Sequence, residues 1–428
     1  MSPRLRRFVL PVAVIVAIGV AASVAVMAGL FETSVVAASA RAPLTPDQMK
    51  ALVERGRYLT RMADCAACHT AEGGAPFASG RPFPMPFGTL YASNITPDPE
   101  TGIGRWTRAD FQRALRDGIA PRGHLYPAMP YVSYRQLTAD DTDAIYAYLM
   151  SRPAIREADR ANTFPFVWVR PTLAFWNLLN LPSRGFAPDT SRPAAWNRGK
   201  YLVDALGHCG ECHTPRDITL GMIPSRYLQG ARIEEVDAPD VTPAGLARMG
   251  FDAGALARYL PAGMGPQGVM NFSMYDVVHN STRWLTADDA TAMADYLMSS
   301  RPVPTSSPPA APAAPTSAPV PVGQQVYVQL CSACHGVDGE GIPHVAPPMR
   351  TNASLRLASP RNLLVVVLSG LPDRPLPGGE RFQAMPAFGR WLDDRQIADL
   401  ANYLRGAWDD TPPTVTADEV RAVRSTLP

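Results

Sequence analysis

The chain of 428 residues has no cysteine to spare. Its six cysteines fall into three close pairs, Cys65/Cys68, Cys209/Cys212 and Cys331/Cys334. That leaves none for a disulfide or a lone catalytic thiol. Charge is also scarce: charged residues make up 18% and the net charge is +2. Such a balance gives no sign of nucleic acid as a partner. No carboxylate pair, nucleophile–base set or phosphate loop stands out, and each acidic cluster sits where a helix is expected to start. Beyond residue 31 no second long apolar run occurs, so the rest of the chain is expected in the aqueous phase.

What is present is organised around three copies of one pentapeptide. They are Cys65-Ala66-Ala67-Cys68-His69, Cys209-Gly210-Glu211-Cys212-His213 and Cys331-Ser332-Ala333-Cys334-His335. Each is C-x-x-C-H, the attachment sequence of c-type haem. Two thiols three positions apart on one helical turn can form thioethers with the two vinyl groups of one porphyrin. The histidine beside the second thiol then offers a ring nitrogen to the iron. Zinc is the first alternative, but a structural site needs four ligands, and these pairs lie more than a hundred residues apart. A redox dithiol is the second, and it favours a single copy and has no need of the histidine. Three covalently bound haem c groups, held by Cys65, Cys68, Cys209, Cys212, Cys331 and Cys334, are therefore expected.

The length implies two to four domains. Proline is abundant, at 44 residues, which argues for long extended connections instead of one continuous α/β sheet. A haem supplies much of the core of a small domain, so segments of roughly 80 to 120 residues can each fold around one.

Residues 8–31 form an uncharged apolar run of 24, preceded by Arg4, Arg6 and Arg7. The length suits a bilayer-spanning helix, which needs about 20 residues. The basic flank places residues 1–7 in the cytoplasm and the haem domains on the periplasmic side of the inner membrane. A cleaved signal peptide is the competing reading, with Ala38-Ser39-Ala40 as its cleavage box. Signal cores run about 7–15 residues, so the length favours a retained transmembrane anchor.

The segments around the motifs repeat. Gly56-Arg57-Tyr58-Leu59, Gly199-Lys200-Tyr201-Leu202 and, more weakly, Gly323-Gln324-Gln325-Val326 precede them. Downstream, Leu137-Thr138-Ala139-Asp140-Asp141 leads to Tyr148-Leu149, Leu285-Thr286-Ala287-Asp288-Asp289 to Tyr296-Leu297, and Leu392-Asp393-Asp394 to Tyr403-Leu404. Thr138 and Thr286 are suited to cap helices with acidic residues in the first turn. Ile145, Tyr148 and Leu149, like Met293, Tyr296 and Leu297, have the spacing of a buried helical stripe. Each unit thus opens on a haem-bearing helix and closes on an amphipathic one, which is the cytochrome c pattern. The fold class expected is mainly α, as three tandem cytochrome c domains behind an N-terminal transmembrane helix. The domains span 50–152, 196–300 and 323–410. Linkers at 153–195 and 301–322 join them, and 411–428 is a C-terminal tail.

Each iron needs a sixth ligand between the two helices. Met129 lies 60 residues after His69, Met274 lies 61 after His213, and Met385 lies 50 after His335. All three precede the closing helix, on a loop that can return over the ring, and thioether ligation raises the potential of haem iron. Most of the 16 methionines are expected to be adaptable core filler. Met270 competes with Met274 but lies further from Leu285, and Met349 follows His335 too closely to reach the opposite face. The metal ligands expected are His69, Met129, His213, Met274, His335 and Met385. His124, His208, His279 and His344 are expected at loops or haem edges, with His279 the strongest competitor among them.

The linkers differ in character. The first contains Phe164, Phe166, Trp168, Trp176 and Leu178 to Leu181, and is expected to pack on a neighbouring domain, a partner or the membrane interface. The second is rich in Pro, Ala and Ser and reads as a semi-rigid extended spacer. The third domain is therefore expected to be the most loosely tethered.

These residues resemble the triheme cytochrome c subunits of membrane-bound bacterial dehydrogenases, the quinoprotein alcohol, gluconate and nicotinate-type molybdenum enzymes among them. The resemblance runs from about Gly56 to the C-terminus. It is carried by Asp64 to Thr70, Pro86-Phe87-Gly88-Thr89, Asn94-Ile95-Thr96-Pro97-Asp98 through Gly104 to Trp106, and Leu125 to Tyr131. Gly207 to Gly210, His213-Thr214-Pro215-Arg216 and Met385-Pro386-Ala387-Phe388 continue it. Two departures stand out: Ala238-Pro239-Asp240-Val241-Thr242 replaces an Asn-Ile-Thr string, and Met249-Gly250-Phe251 stands near the place of Trp106. The resemblance implies a relay of electrons from a catalytic subunit holding quinone, flavin or molybdopterin to ubiquinone or another cytochrome. It also implies Met129, Met274 and Met385 as axial ligands. Rival readings are a catalytic multihaem enzyme, such as a peroxidase or sulfur-compound dehydrogenase, and a cytochrome subunit of a terminal oxidase. The first needs an iron with an open position, whereas a methionine is on hand for all three.

Overall fold

The computed structural model describes residues 19–26, 44–85, 88–163, 167–299, 321–409 and 412–427. Residues 19–26 are helical, and among the described residues no helix is long and apolar enough to cross a membrane. The remainder of the expected 8–31 span lies outside the described residues, as does the spacer from 300 to 320. The chain divides into two compact units, Met1–Ala187 and Pro188–Pro428.

In the first unit the opening helix Pro46–Met62 starts where the sequence supplies a complete cap. The Thr45 hydroxyl accepts from the Gln48 amide at 3.3 Å, the Gln48 side chain accepts from the Thr45 amide at 2.9 Å, and Pro46 sits in the first turn. The closing helix Ala139–Met150 begins at Thr138, whose hydroxyl accepts from the Asp141 amide at 3.1 Å. The two helices pack across each other at Gly56, where an added Cβ would lie 1.8 Å from the Ala144 carbonyl oxygen. Only glycine permits this approach. Asp141 also receives Arg55 at 2.6 Å, pinning the crossing from outside.

The second unit repeats the crossing twice. Ala194–Tyr201 meets Ala287–Ser299 at Gly199, 1.8 Å from the Ala292 carbonyl in the same sense. Pro321–Leu330 meets Asp394–Asp409 at Gly323, 2.1 Å from the Asp399 carbonyl. Thr286 caps its helix by accepting from the Asp289 amide at 3.1 Å. Between glycine and first cysteine the second domain has one residue more than the first. The chain absorbs it as a π-helical turn over Leu202–Leu206. That turn buries Asp204, which receives Lys200 at 2.5 Å, the Tyr227 hydroxyl at 2.8 Å and the Tyr296 hydroxyl at 2.9 Å.

Each domain also has an inner helix that stops at a glycine of positive φ, left-handed in the first two domains, and runs into a short hairpin. Arg108–Asp117 stops at Gly118 (φ 68°), Ala253–Ala262 at Gly263 (φ 70°) and Arg361–Ser369 at Gly370 (φ 71°). Two-residue ladders follow: Ile119–Ala120 with Gly123–His124, Met264–Gly265 with Gly268–Val269, and Arg374–Pro375 with Arg381–Phe382. Sequence reading missed these hairpins, because two paired residues leave no alternating pattern.

The 153–187 connection packs on the first domain. The Asp159 carboxylate accepts from the Asn94 amide at 2.8 Å, the Thr163 amide donates to the Thr89 carbonyl at 3.0 Å, and the Tyr131 hydroxyl donates to Asn177 at 2.8 Å. Leu178 and Leu179 remain exposed. Phe164 and Phe166 lie outside the described residues.

The third domain is not loosely tethered. Val236, on the second domain's hairpin, belongs to the third domain's hydrophobic core alongside Tyr327, Leu364 and Leu404. The Asn362 side chain makes a reciprocal pair with the Asp237 main chain, accepting at 2.7 Å and donating at 2.8 Å, and Arg361 donates to the Glu235 carbonyl at 2.6 Å. The spacer's composition describes the tether and is silent on the surfaces it joins. Asn362→Ala removes both bonds and is expected to destabilise this unit by about 1–3 kcal/mol. In calorimetry its melting transition falls while that of the first domain stays put.

Candidate haem-binding sites

Each pentapeptide ends in one helical turn, Cys65–His69, Gly210–His213 and Ser332–His335, set just after the opening helix. In the first two domains the chain turns sharply to reach it, through Asp64 at φ 52° and His208 at φ 40°. The three histidines are then held alike. Nδ1 of His69 lies 2.7 Å from the Ser93 carbonyl, that of His213 2.7 Å from the Pro239 carbonyl, and that of His335 3.1 Å from the Pro347 carbonyl. A carbonyl can only accept, so Nδ1 carries the proton and Nε2 keeps its lone pair, the tautomer that ligates a metal. Burial lowers the pKa of all three rings, which keeps them neutral and ligand-competent.

The first thiol of each pair is shifted in the opposite direction from that of a redox dithiol. Burial, helped by the neighbouring Asp64 and Cys68, pushes Cys65 up to about 12. Burial and Asp204 do the same to Cys209, also about 12, and Cys331 rises to about 11. A reactive dithiol needs a depressed pKa. Among the described residues no three His, Cys, Asp or Glu side chains gather as a metal-ion site requires. Neither the dithiol nor the zinc reading finds its geometry here.

The methionines follow the positive-φ glycines, and in the first two domains they do so in a common register. In the first domain the Leu125 amide donates to the Gly118 carbonyl at 2.7 Å and the Met129 amide to the Tyr126 carbonyl at 3.0 Å. In the second, Met270 donates to Gly263 at 2.8 Å and Met274 to Asn271 at 3.2 Å. Met274 therefore takes the place of Met129, and Met270 that of Leu125. In the third, Leu371 and Met385 exchange main-chain bonds of 2.9 Å beside Gly370.

The third domain shows how the parts converge. Cys331, Cys334, His335 and Met385 line one cavity of about 260 Å³, walled by Leu355, Leu363 and Leu404. Two thiols, an imidazole and a thioether around an apolar chamber match the donor set that haem c takes. Met349 lines the same cavity. Of the other histidines, His279 stacks on Tyr275 (5.8 Å, 21°), His344 pairs with Glu380 at 2.8 Å, and the His124 carbonyl accepts from Arg170.

Sequence reasoning missed the three carbonyls that orient the rings, since main-chain acceptors carry no residue signature. The Asp240 departure is resolved by geometry. Asp240 accepts from the Thr242 amide at 2.9 Å and its hydroxyl at 2.6 Å, as Asn94 does from Thr96 at 2.9 and 2.7 Å. Both side chains make the turn that presents the preceding carbonyl, of Pro239 or Ser93, to the histidine.

Comparison with known proteins agrees with this geometry. The cytochrome c family model matches residues 53–153 and 321–408. The gluconate 2-dehydrogenase cytochrome c subunit of Pantoea cypripedii is 38% identical over 407 residues, covering 90% of this chain and 92% of that protein. The cytochrome c subunit of alcohol dehydrogenase (quinone) from Gluconacetobacter polyoxogenes is 37% identical over 405 residues, 89% of this chain and 86% of the relative. A nicotinate dehydrogenase subunit of Pseudomonas putida is 42% identical over 377 residues, 85% of this chain, which spans only 31% of that longer protein. Fold, motifs and comparisons define a c-type cytochrome that binds haem covalently. The chain belongs to the family of dehydrogenase cytochrome c subunits, and its work is electron transfer.

Proposed function

We propose that the chain carries three haem c groups in series and relays electrons from a catalytic dehydrogenase subunit to ubiquinone or a downstream cytochrome. The observation that supports this best is the threefold repetition of one arrangement: a paired-cysteine turn, a histidine held through Nδ1 by a carbonyl, and a methionine beyond a positive-φ glycine. Cys65 and Cys68, Cys209 and Cys212, and Cys331 and Cys334 attach the porphyrins. His69 with Met129, His213 with Met274, and His335 with Met385 hold the irons. When bound, haem c supplies a reversible one-electron iron(III)/iron(II) couple. The carbonyls of Ser93, Pro239 and Pro347 keep the histidines in one tautomer, and the methionines favour the reduced state. Apolar walls such as Leu355, Leu363 and Leu404 exclude water.

The partner is a quinoprotein, flavoprotein or molybdenum hydroxylase oxidising an alcohol, a sugar acid, an aldehyde or an N-heterocycle. The apolar run 8–31 anchors the chain in the inner membrane with the haem domains on the periplasmic side. Mass spectrometry of the mature chain tests the count: three covalently added porphyrins are expected, and fewer would undo the reading. Gentle detergent extraction is expected to bring down a dehydrogenase; a haem–copper oxidase in its place would favour the rival.

A further inference from the structure

The cavity that holds Cys331, Cys334, His335 and Met385 is not built from the third domain alone. Five residues of the second domain line it: Val269, Met270, Asn271, Phe272 and Tyr275. Val269 ends the strand Gly268–Val269, and Met270 to Phe272 form the turn that follows. Tyr275 stands beside Met274 in the first turn of the helix Ser273–Asn280, so Met274 lies on a helix and not on the loop expected for it.

Phe272 is held at φ 52° and ψ −139°, a conformation that a residue with a side chain adopts only under constraint. The constraint is visible: Phe272 packs against the third domain's core. Tyr275 is fastened from both sides. Its hydroxyl donates to the Pro375 carbonyl at 2.9 Å, the Arg374 guanidinium lies 4.5 Å from its ring centre, and His279 stacks behind it. Nearby, the Ala353 amide donates to the Gln267 carbonyl at 2.8 Å, and the Thr351 hydroxyl bonds to the Pro266 carbonyl.

We propose that Phe272 and Tyr275 of the second domain complete the third haem's cavity and set that haem's potential. They are positioning residues that act through exclusion of water. An apolar, dry surround disfavours the extra charge of the oxidised iron and raises its potential, so opening this wall lowers it. The inference rests on the three-haem reading above.

The test is a spectroelectrochemical titration of the full-length protein. The third haem's wave is assigned as the one moved by Met385→Ala, and the first haem's as the one moved by Met129→Ala. Phe272→Ala and Tyr275→Ala are expected to shift the Met385-assigned wave downward and to leave the Met129-assigned wave in place. Tyr275→Phe keeps the ring and is expected to keep the potential. Should Phe272→Ala fail to accumulate, Phe272→Leu carries the same comparison. A stationary Met385-assigned wave, or a shift confined to the wave assigned through Met274→Ala, overturns the proposal. Porphyrins are counted by mass in every variant. Three porphyrins with an unmoved wave defeat this inference alone, whereas fewer than three in the unaltered chain defeat the reading beneath it.

Discussion

Gly199→Val abolishes assembly of the second domain. At the helix crossing a Cβ on residue 199 would sit 1.8 Å from the Ala292 carbonyl oxygen, 2.5 Å from its carbon and 3.0 Å from the Tyr296 Cβ. Two of these atoms are backbone and cannot swing aside, so the helices must separate. Separation unpacks Leu202, Leu206 and Met293 together and exposes the Asp204 cluster, whose lysine and tyrosine partners come from both sides of the crossing. Overpacking of a yielding core costs about 1–3 kcal/mol, and a rigid backbone clash costs more. That is a large share of the roughly 5–15 kcal/mol that hold a domain folded. The expected result is a chain with fewer porphyrins by mass and a lost thermal transition. Gly56→Val does the same to the first domain, where the Ala144 carbonyl is also at 1.8 Å. Normal melting and a full porphyrin complement in either variant would show that the helices cross elsewhere.

Met129→Ala and Met274→Ala each leave every haem attached and convert one iron to the high-spin state with a lower potential. Attachment depends on the cysteines, whereas spin state depends on the sixth ligand, so the two readouts separate. Met270→Ala supplies the internal control. Met270 is buried at 8% exposure and occupies the register of Leu125, a residue with no ligating atom. It should cost stability by leaving a cavity, about 2–5 kcal/mol, with the iron still low-spin. Optical and paramagnetic resonance spectra check all three variants. An unchanged signature in Met274→Ala together with a high-spin iron in Met270→Ala would reverse the assignment.

The helical turns of the pentapeptides and the capped closing helices could be read from the chain because each rests on local chemistry, whereas the loop expected around Met274 is a helix, Ser273–Asn280. Thr138 and Thr286 cap where acidic residues follow them, and the glycines of the opening helices mark the crossings. What could not be read has a common cause. The carbonyls of Ser93, Pro239 and Pro347 act through the main chain, so their residue types are unrestricted. The fusion of the second and third domains depends on surface complementarity between Val236, Asp237 and Asn362. Asn362 is more than a hundred positions from Val236 and Asp237 in the chain, and the pairing follows no periodic rule. The extra residue before Cys209 was countable, yet its accommodation as a π-turn required the crossing glycine to be fixed first.

The shared core of the last two domains bears on how freely the segment between them can vary. Under the three-haem reading proposed above, electrons pass between the second and third centres at a rate set by their separation, which the interlocked side chains of the two domains would fix. The proline- and alanine-rich stretch between Ser299 and Pro321 is thereby relieved of any metrical duty. Under that reading, lengthening or shortening the stretch leaves the spacing of the two centres as the packed surfaces dictate.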